Sequence, residues 1–251
     1  MVDIMTLAGK EIRNFLKIWK QTLVPPVIMA VLYILIFGKF IGEQVTIVEG
    51  VSYMHFIFPG LLMMSIIMGS YALTSFGFFS AKMFKSLEEV LVSPMNHTKI
   101  ITSYVLAGVT RGFLVGICVY LVSFFMVQTS IHSYGYLLLF ILLTSILFSL
   151  AGLINGIFAR SFDDVNIIPS FIITPLMYLG GVFYSIQMLS PFWQHVSQYN
   201  PILYMINGLR YAFIGISDVS VVHSILVLII FIVILYTLAW YLLKQGRGIR
   251  S

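Results

Sequence analysis

An all-helical integral membrane protein is the fold class that this sequence predicts, and three observations lead to it. Sixty per cent of its residues are hydrophobic and only nine per cent are charged, against about a quarter charged in soluble domains; mean hydropathy is +1.02. Apolar runs of the roughly 20 residues that a spanning helix needs begin near Leu23, Phe56, Ile100, Tyr134, Val165 and Val221. The basic residues gather in alternate gaps between those runs.

That last pattern sets a topology, because short cytoplasmic loops are enriched in Lys and Arg. Lys10, Arg13, Lys17 and Lys20 precede the first run, and Lys82, Lys85 and Lys99 lie between the second and third. Arg160 follows the fourth, and Lys244, Arg247 and Arg250 end the chain. With six crossings, these 11 of the 14 basic residues share one side, and both termini are cytoplasmic. The other side holds Glu43, Glu49, Arg210 and Asp218. A pI near 9.3 then reflects orientation, and no nucleic-acid partner is expected; membrane lipids are.

Taken in order, residues 1–22 form a cytoplasmic amphipathic helix. Ile4, Leu7, Ala8, Ile12, Phe15, Leu16 and Trp19 recur at helical spacing, with Lys10, Arg13, Lys17 and Lys20 between them. It is either a passive anchor or a transmitter of motion. A long charged segment precedes the first apolar run, and no Ala-x-Ala-like site follows it, so a cleaved signal peptide is not expected. Pro25 and Pro26 fall at the first turn of the next helix, where their missing donors cost little. Lys39 snorkels at its outer end.

Residues 82–99 are a charged island that turns the chain around between the second and third spans. It holds Lys82, Lys85, Glu88, Glu89 and Lys99. Arg111 lies deep in the third run; it either faces protein or a wet cavity, or snorkels to the cytoplasmic surface. Gly108, Gly112 and Gly116 give that helix a small face for close packing. In the fifth run Pro169 and Pro175 predict a kink whose freed carbonyls need partners. Asp163 and Asp164 suit its start. The uncharged stretch from Val165 to Leu209 has room for two spans, but seven crossings would carry the basic C-terminus outside. One span to about Leu189, followed by short re-entrant or interfacial helices within residues 190–220, fits better. The whole of residues 1–251 reads as a single transmembrane domain.

Fuel and catalysis leave no trace. There is no G-x-x-x-x-G-K-[ST] phosphate loop, no H-E-x-x-H, no G-x-S-x-G and no Cys/His metal spacing. The spans carry no pair of carboxylates suited to a proton relay. Cys118, the single cysteine, lies within the third run and reads as a buried apolar thiol. The chain is not expected to be an enzyme or to hold a cofactor or metal, and a partner should supply the energy.

Leu87-Glu88-Glu89-Val90-Leu91-Val92-Ser93-Pro94 resembles the L-E-x-L-x-V-S-P-like segment of ABC-2 type permeases, membrane subunits of bacterial ATP-binding-cassette exporters. Pro175-Leu-Met-Tyr-Leu-Gly-Gly-Val-Phe-Tyr184, Pro191-Phe-Trp193, Asn200-Pro-Ile-Leu-Tyr204 and Leu209-Arg210 match further family features in order. Lys85-Ser86 departs from the residues family members often carry before the Leu-Glu pair.

The resemblance implies a permease dimer, a homodimer by expectation, in the inner membrane with two cytoplasmic ATPase subunits that bind the ATP. Its island helix would couple to them through Lys82, Lys85, Glu88 and Glu89, with Leu87 and Leu91 packing. The segment around Trp193 and Arg210 would cap a pathway on the outer side. Arg111, Tyr178 and Tyr184 are further pathway or gate candidates, and Phe76, Phe78 and Phe79 either line it or pack. The expected function is export of an amphipathic substrate such as a lipid-linked glycan, lipid or drug. The rival reading is a secondary transporter or channel that needs no ATPase.

Overall fold

The computed structural model describes residues 2–41, 47–48, 50–92 and 95–246. Expectations for Glu43, Glu49, Ser93, Pro94, Arg247 and Arg250, and for the side chains of Lys39 and Leu91, lie outside the described residues. What is described is almost wholly helical. The departure from an all-α chain is one short antiparallel hairpin, in which β1 (Ile47–Val48) pairs with β2 (Val51–Ser52).

Helix α1 (Val2–Lys17) buries Leu7, Ala8 and Phe15 and leaves Lys10, Arg13 and Lys17 in the open. The amphipathic helix ends at Lys17, short of the expected residue 22. The chain breaks at Ile18 and α2 (Trp19–Tyr33) starts at once, running on into a wider helical stretch, Ile34–Ile41. Pro25 and Pro26 therefore lie inside α2, not in its first turn. The turn between α1 and α2 is made at Ile18, so the helix is already propagating when it meets the prolines.

The centre of the bundle is α3 (Tyr53–Met83), α5 (His97–Val127) and α6 (Tyr134–Phe158). Glycines let these three approach closely. A Cβ at Gly108 would run into Ser149 Oγ, one at Gly112 into Ser70 Oγ, and one at Gly152 into the Tyr71 carbonyl. Helix α11 (Val221–Gln245) lies outside them, with Leu226, Ile230, Val233 and Ile234 exposed. α2 and the wider stretch that follows it are exposed in the same way at Ile28, Met29, Leu32 and Ile36.

Five helices among the described residues are long and apolar enough to cross a membrane: Trp19–Phe37, α3, α5, α6 and α11. The expected fifth run is built differently from the rest. It comprises α7 (Phe162–Ile168), a wide turn at Pro169–Ile173 and α8 (Thr174–Leu179), together about 27 Å long. Asp164 performs the expected helix-start role. It accepts from Ser161 N at 3.1 Å while its own N–H donates to Ser161 Oγ at 3.1 Å. Pro169 cannot donate to the Val165 carbonyl, and Asn155 Nδ2 does so instead at 2.9 Å.

This helical run stops at Leu179, ten residues before the expected limit near Leu189. Gly181 takes a left-handed φ of +80°, which glycine adopts without a Cβ clash. A 3₁₀ turn (Ile186–Met188), α9 (Pro191–Gln198) and α10 (Pro201–Ile214) follow. α9 and α10 form a helical hairpin: Asn200 at its turn reaches back to the Leu176 carbonyl at 2.6 Å. The far end of α10 meets the α5–α6 loop, where Ser133 N donates to Ala212 O at 2.9 Å. Almost all of α10 is buried by protein, as backbone at membrane depth requires. At about 21 Å it is too short for a second crossing.

Candidate functional site

Two groups of chemistry-bearing residues stand at opposite ends of the bundle. One end is built from α1, the last turn of α3, the first turns of α5 and the short helix α4 (Ser86–Val92). α4 follows α3 through Lys85, a non-glycine residue at φ +59°, a conformation that is costly for an L side chain. Leu87 is 1% exposed and anchors α4 in the core beside Phe78, Ile100 and Tyr104. Lys85, Glu88 and Glu89 point to the surface.

Lys82, expected beside them as a docking contact, is engaged elsewhere. Its Nζ donates to Ile157 O at 2.7 Å and Ala159 O at 2.6 Å, closing the C-terminal carbonyls of α6. Sequence reasoning missed two flanking residues. Phe84 (72% exposed) and Val92 (87% exposed) put apolar surface on either side of the acids. The signal available was a Phe and a Val set among charges, bracketing a helix too short to bury both faces.

A cavity of about 370 Å³ opens at the same end. Lys10, Glu11, Phe15 and Ile18 line it from α1 and the break, Leu73, Phe76 and Gly77 from α3, and Arg111 from α5. Glu11 is only 5% exposed. Burial holds its carboxyl above the usual carboxylate range, an effect Lys10 partly offsets. Arg111 is half-buried, and its Nε is sealed from solvent without a hydrogen-bond partner among the described residues. Of the two readings open for Arg111, the structure takes the one in which it faces a cavity. Phe76 lines that cavity too, whereas Phe78 and Phe79 are core residues stacked edge-on against Tyr104 and Phe162.

The other end is dry and cross-linked. Arg210 is wholly buried, and its Nη1 lies 3.5 Å from Asp218 Oδ2. Its Nη2 donates to Gly181 O at 2.6 Å, and its guanidinium carbon sits 3.8 Å from the Phe56 ring centroid. Asp218 also accepts from Ser185 Oγ at 2.6 Å, while its N–H donates to Asn207 Oδ1 at 2.9 Å. This network ties α10, the α10–α11 loop, the turn after α8 and α3 together. Arg210 therefore lines no open surface. Tyr178 pairs with Tyr33 through their hydroxyls at 3.1 Å and stacks on Phe183. Tyr184 is half-buried nearby. Trp193 stands on the exposed face of α9 beside Phe192. The structure does not bring Arg111, Tyr178, Tyr184, Trp193 and Arg210 to one site.

A bundle with five helices long and apolar enough to cross a membrane, an amphipathic first helix and a protruding short helix defines a polytopic membrane protein. The ABC-2 type transporter family matches residues 2–214, from α1 through the last turn of α10, and the chain belongs to that family. It is 51% identical over 250 residues to the inner membrane transport permease YadH of Escherichia coli (strain K12), covering 100% of this chain and 98% of that one. Nodulation protein J of Rhizobium leguminosarum bv. viciae is 24% identical over 238 residues, 93% of this chain and 92% of its own. Nodulation protein J of Rhizobium meliloti (strain 1021) is 25% identical over the same length, covering 93% and 90%. The chain is thus a multi-pass ABC-2 permease of the inner membrane.

Proposed function

We propose that this chain is the membrane subunit of an exporter driven by ATP bound and hydrolysed on a separate cytoplasmic subunit. The family implies both an ATPase partner and a dimeric organisation; our reading is two copies of this chain with two ATPases. The broken run Phe162–Leu179 counts as the fifth of six crossings, which puts α1, α4 and both termini in the cytoplasm. The observation that carries the reading is α4. It is rooted in the core by Leu87 and presents Glu88 and Glu89 between exposed Phe84 and Val92. A surface with apolar flanks and a charged centre suits a protein cleft, and Leu87 connects its movement to the ends of α3 and α5. The cargo we infer is amphipathic: a lipid-linked glycan, a lipid or a hydrophobic drug.

The test is co-purification with a cassette ATPase, using the parent and Glu88→Lys combined with Glu89→Lys. We expect the double variant to remain folded in the membrane but to lose at least about 2 kcal/mol of association, roughly thirtyfold in affinity, and to lose stimulation of the ATPase. Unchanged capture together with unchanged stimulation would remove α4 from the coupling role. Transport by vesicles containing this chain without any ATPase would favour a secondary transporter.

A further inference from the structure

The cavity beneath α1 adjoins the coupling surface, sharing Phe84 and Ser86 with it, and has a chemistry of its own. It is lined by one buried acid, Glu11 on α1, and one half-buried base, Arg111 on α5, in the same space of about 370 Å³. Neither makes an ion pair among the described residues, so the two charges are held apart across the cavity. Charges withdrawn from water are costly unless matched. Phe15, Ile18, Leu73 and Phe76 give the same cavity apolar walls. Asn14, Ser80 and Ser86 add neutral hydrogen-bonding groups, and Lys10 is exposed at the rim. Gly77 leaves the space that Glu11 occupies, since a Cβ there would come within 3.0 Å of Glu11 Oε2.

We propose that this cavity holds the head of a zwitterionic phospholipid, an aminated phosphodiester, as a resident lipid of the cytoplasmic leaflet rather than as cargo. Its phosphate faces the Arg111 guanidinium and its ammonium faces the Glu11 carboxylate, each a charge-assisted hydrogen bond in a partly dry space. Its chains leave past Phe15, Ile18 and Leu73. The volume lies at the lower end for small-ligand sites, about 300–1,000 Å³, which suits a head group with its tails outside. A lipid so placed wedges α1 against α3 and α5 and makes the interfacial helix part of the bundle. The proposal takes only the leaflet from the orientation given above; it needs neither an ATPase nor transport.

Native mass spectrometry of the full-length purified chain tests it, with phosphatidylethanolamine, phosphatidylglycerol and tail-less phosphoethanolamine as probes. The parent should retain phosphatidylethanolamine about tenfold better than phosphatidylglycerol at equal concentration, and phosphoethanolamine should bind much more weakly than the lipid. Glu11→Gln should weaken phosphatidylethanolamine alone and bring the ratio near one. Arg111→Gln should weaken both lipids by about tenfold. Equal binding of the two lipids to the parent, or a ratio indifferent to Glu11→Gln, overturns the proposal. Phosphoethanolamine binding as tightly as the lipid overturns it as well, by assigning the site to a free phosphoamine. Should Arg111→Gln fail to fold, Glu11→Gln on the amphipathic helix decides the matter by itself.

Discussion

Two arginines lie deep in this chain, one toward each end of the bundle, and they are handled in opposite ways. Arg210 is enclosed by an aspartate, a carbonyl and an aromatic ring from three other segments. Arg111 faces a cavity, and among the described residues its guanidinium has no carboxylate or carbonyl partner. The difference shows what each end is built for. A guanidinium held by a carboxylate, a carbonyl and a ring fixes irregular backbone, and the α9–α10 hairpin needs fixing because it dips into the bundle without crossing it. One left facing a cavity is suited to meeting something that is not part of this chain. The end with Arg210 is a lock, and the end with Arg111 and α4 is the one we propose for docking.

The sharpest way to break that comparison is to unlock the Arg210 end. Asp218→Ala strands a buried guanidinium and frees Ser185 and the Ile186 amide together. We expect a loss of about 3–5 kcal/mol, read as a fall in the thermal unfolding midpoint of the purified protein. A cost below about 1 kcal/mol would mean that the pair is not what holds the hairpin. The central packing gives the next effect. Gly152→Val drives a branched side chain into the Tyr71 carbonyl and Thr74 Oγ1 and should cost about 1–3 kcal/mol on the same assay. Because α3 and α6 run through both ends, this loss should weaken ATPase association too. The smallest effect lies at the docking end. Lys85→Gly relieves a left-handed residue and should raise stability by up to about 1 kcal/mol. A fall in stability would show that the side chain, not the backbone, matters there.

How far the sequence was readable varied with the range of the interaction. The periodicity of α1 and the helix-start role of Asp164 are local, and each was legible. So was the need of Pro169 for a partner, though not that Asn155 would be that partner. Leu87, expected from the resemblance to pack in the coupling contact, is buried in the chain's own core. The prolines at 25 and 26 misled because proline marks a helix start only when the helix has not begun, and here it begins at Trp19. The adjacent glycines at 180 and 181 serve different ends: Gly180 packs on Ile202 and Ile206, while Gly181 turns the chain. Lys82 looked like the other charges of its island. That its ammonium reaches the end of α6 depends on how α3 and α6 cross, which no local pattern records.

The sequence by itself determined the membrane class, the position of the polar breaks and the family, because these rest on composition, run length and motif order. Helices form wherever apolar residues are long enough to span, and basic residues bias the loops whatever the packing is. Only the tertiary structure decided which charges are answered and which are left to meet a partner. Arg210 and Asp218 are eight residues apart, yet their pairing needs the left-handed turn at Gly215 and the arrival of Gly181 and Phe56 from elsewhere. Arg111 and Glu11 are a hundred residues apart and share a cavity only because α1 folds back against α3 and α5. Desolvation is a property of surroundings, and surroundings exist only once the helices have packed.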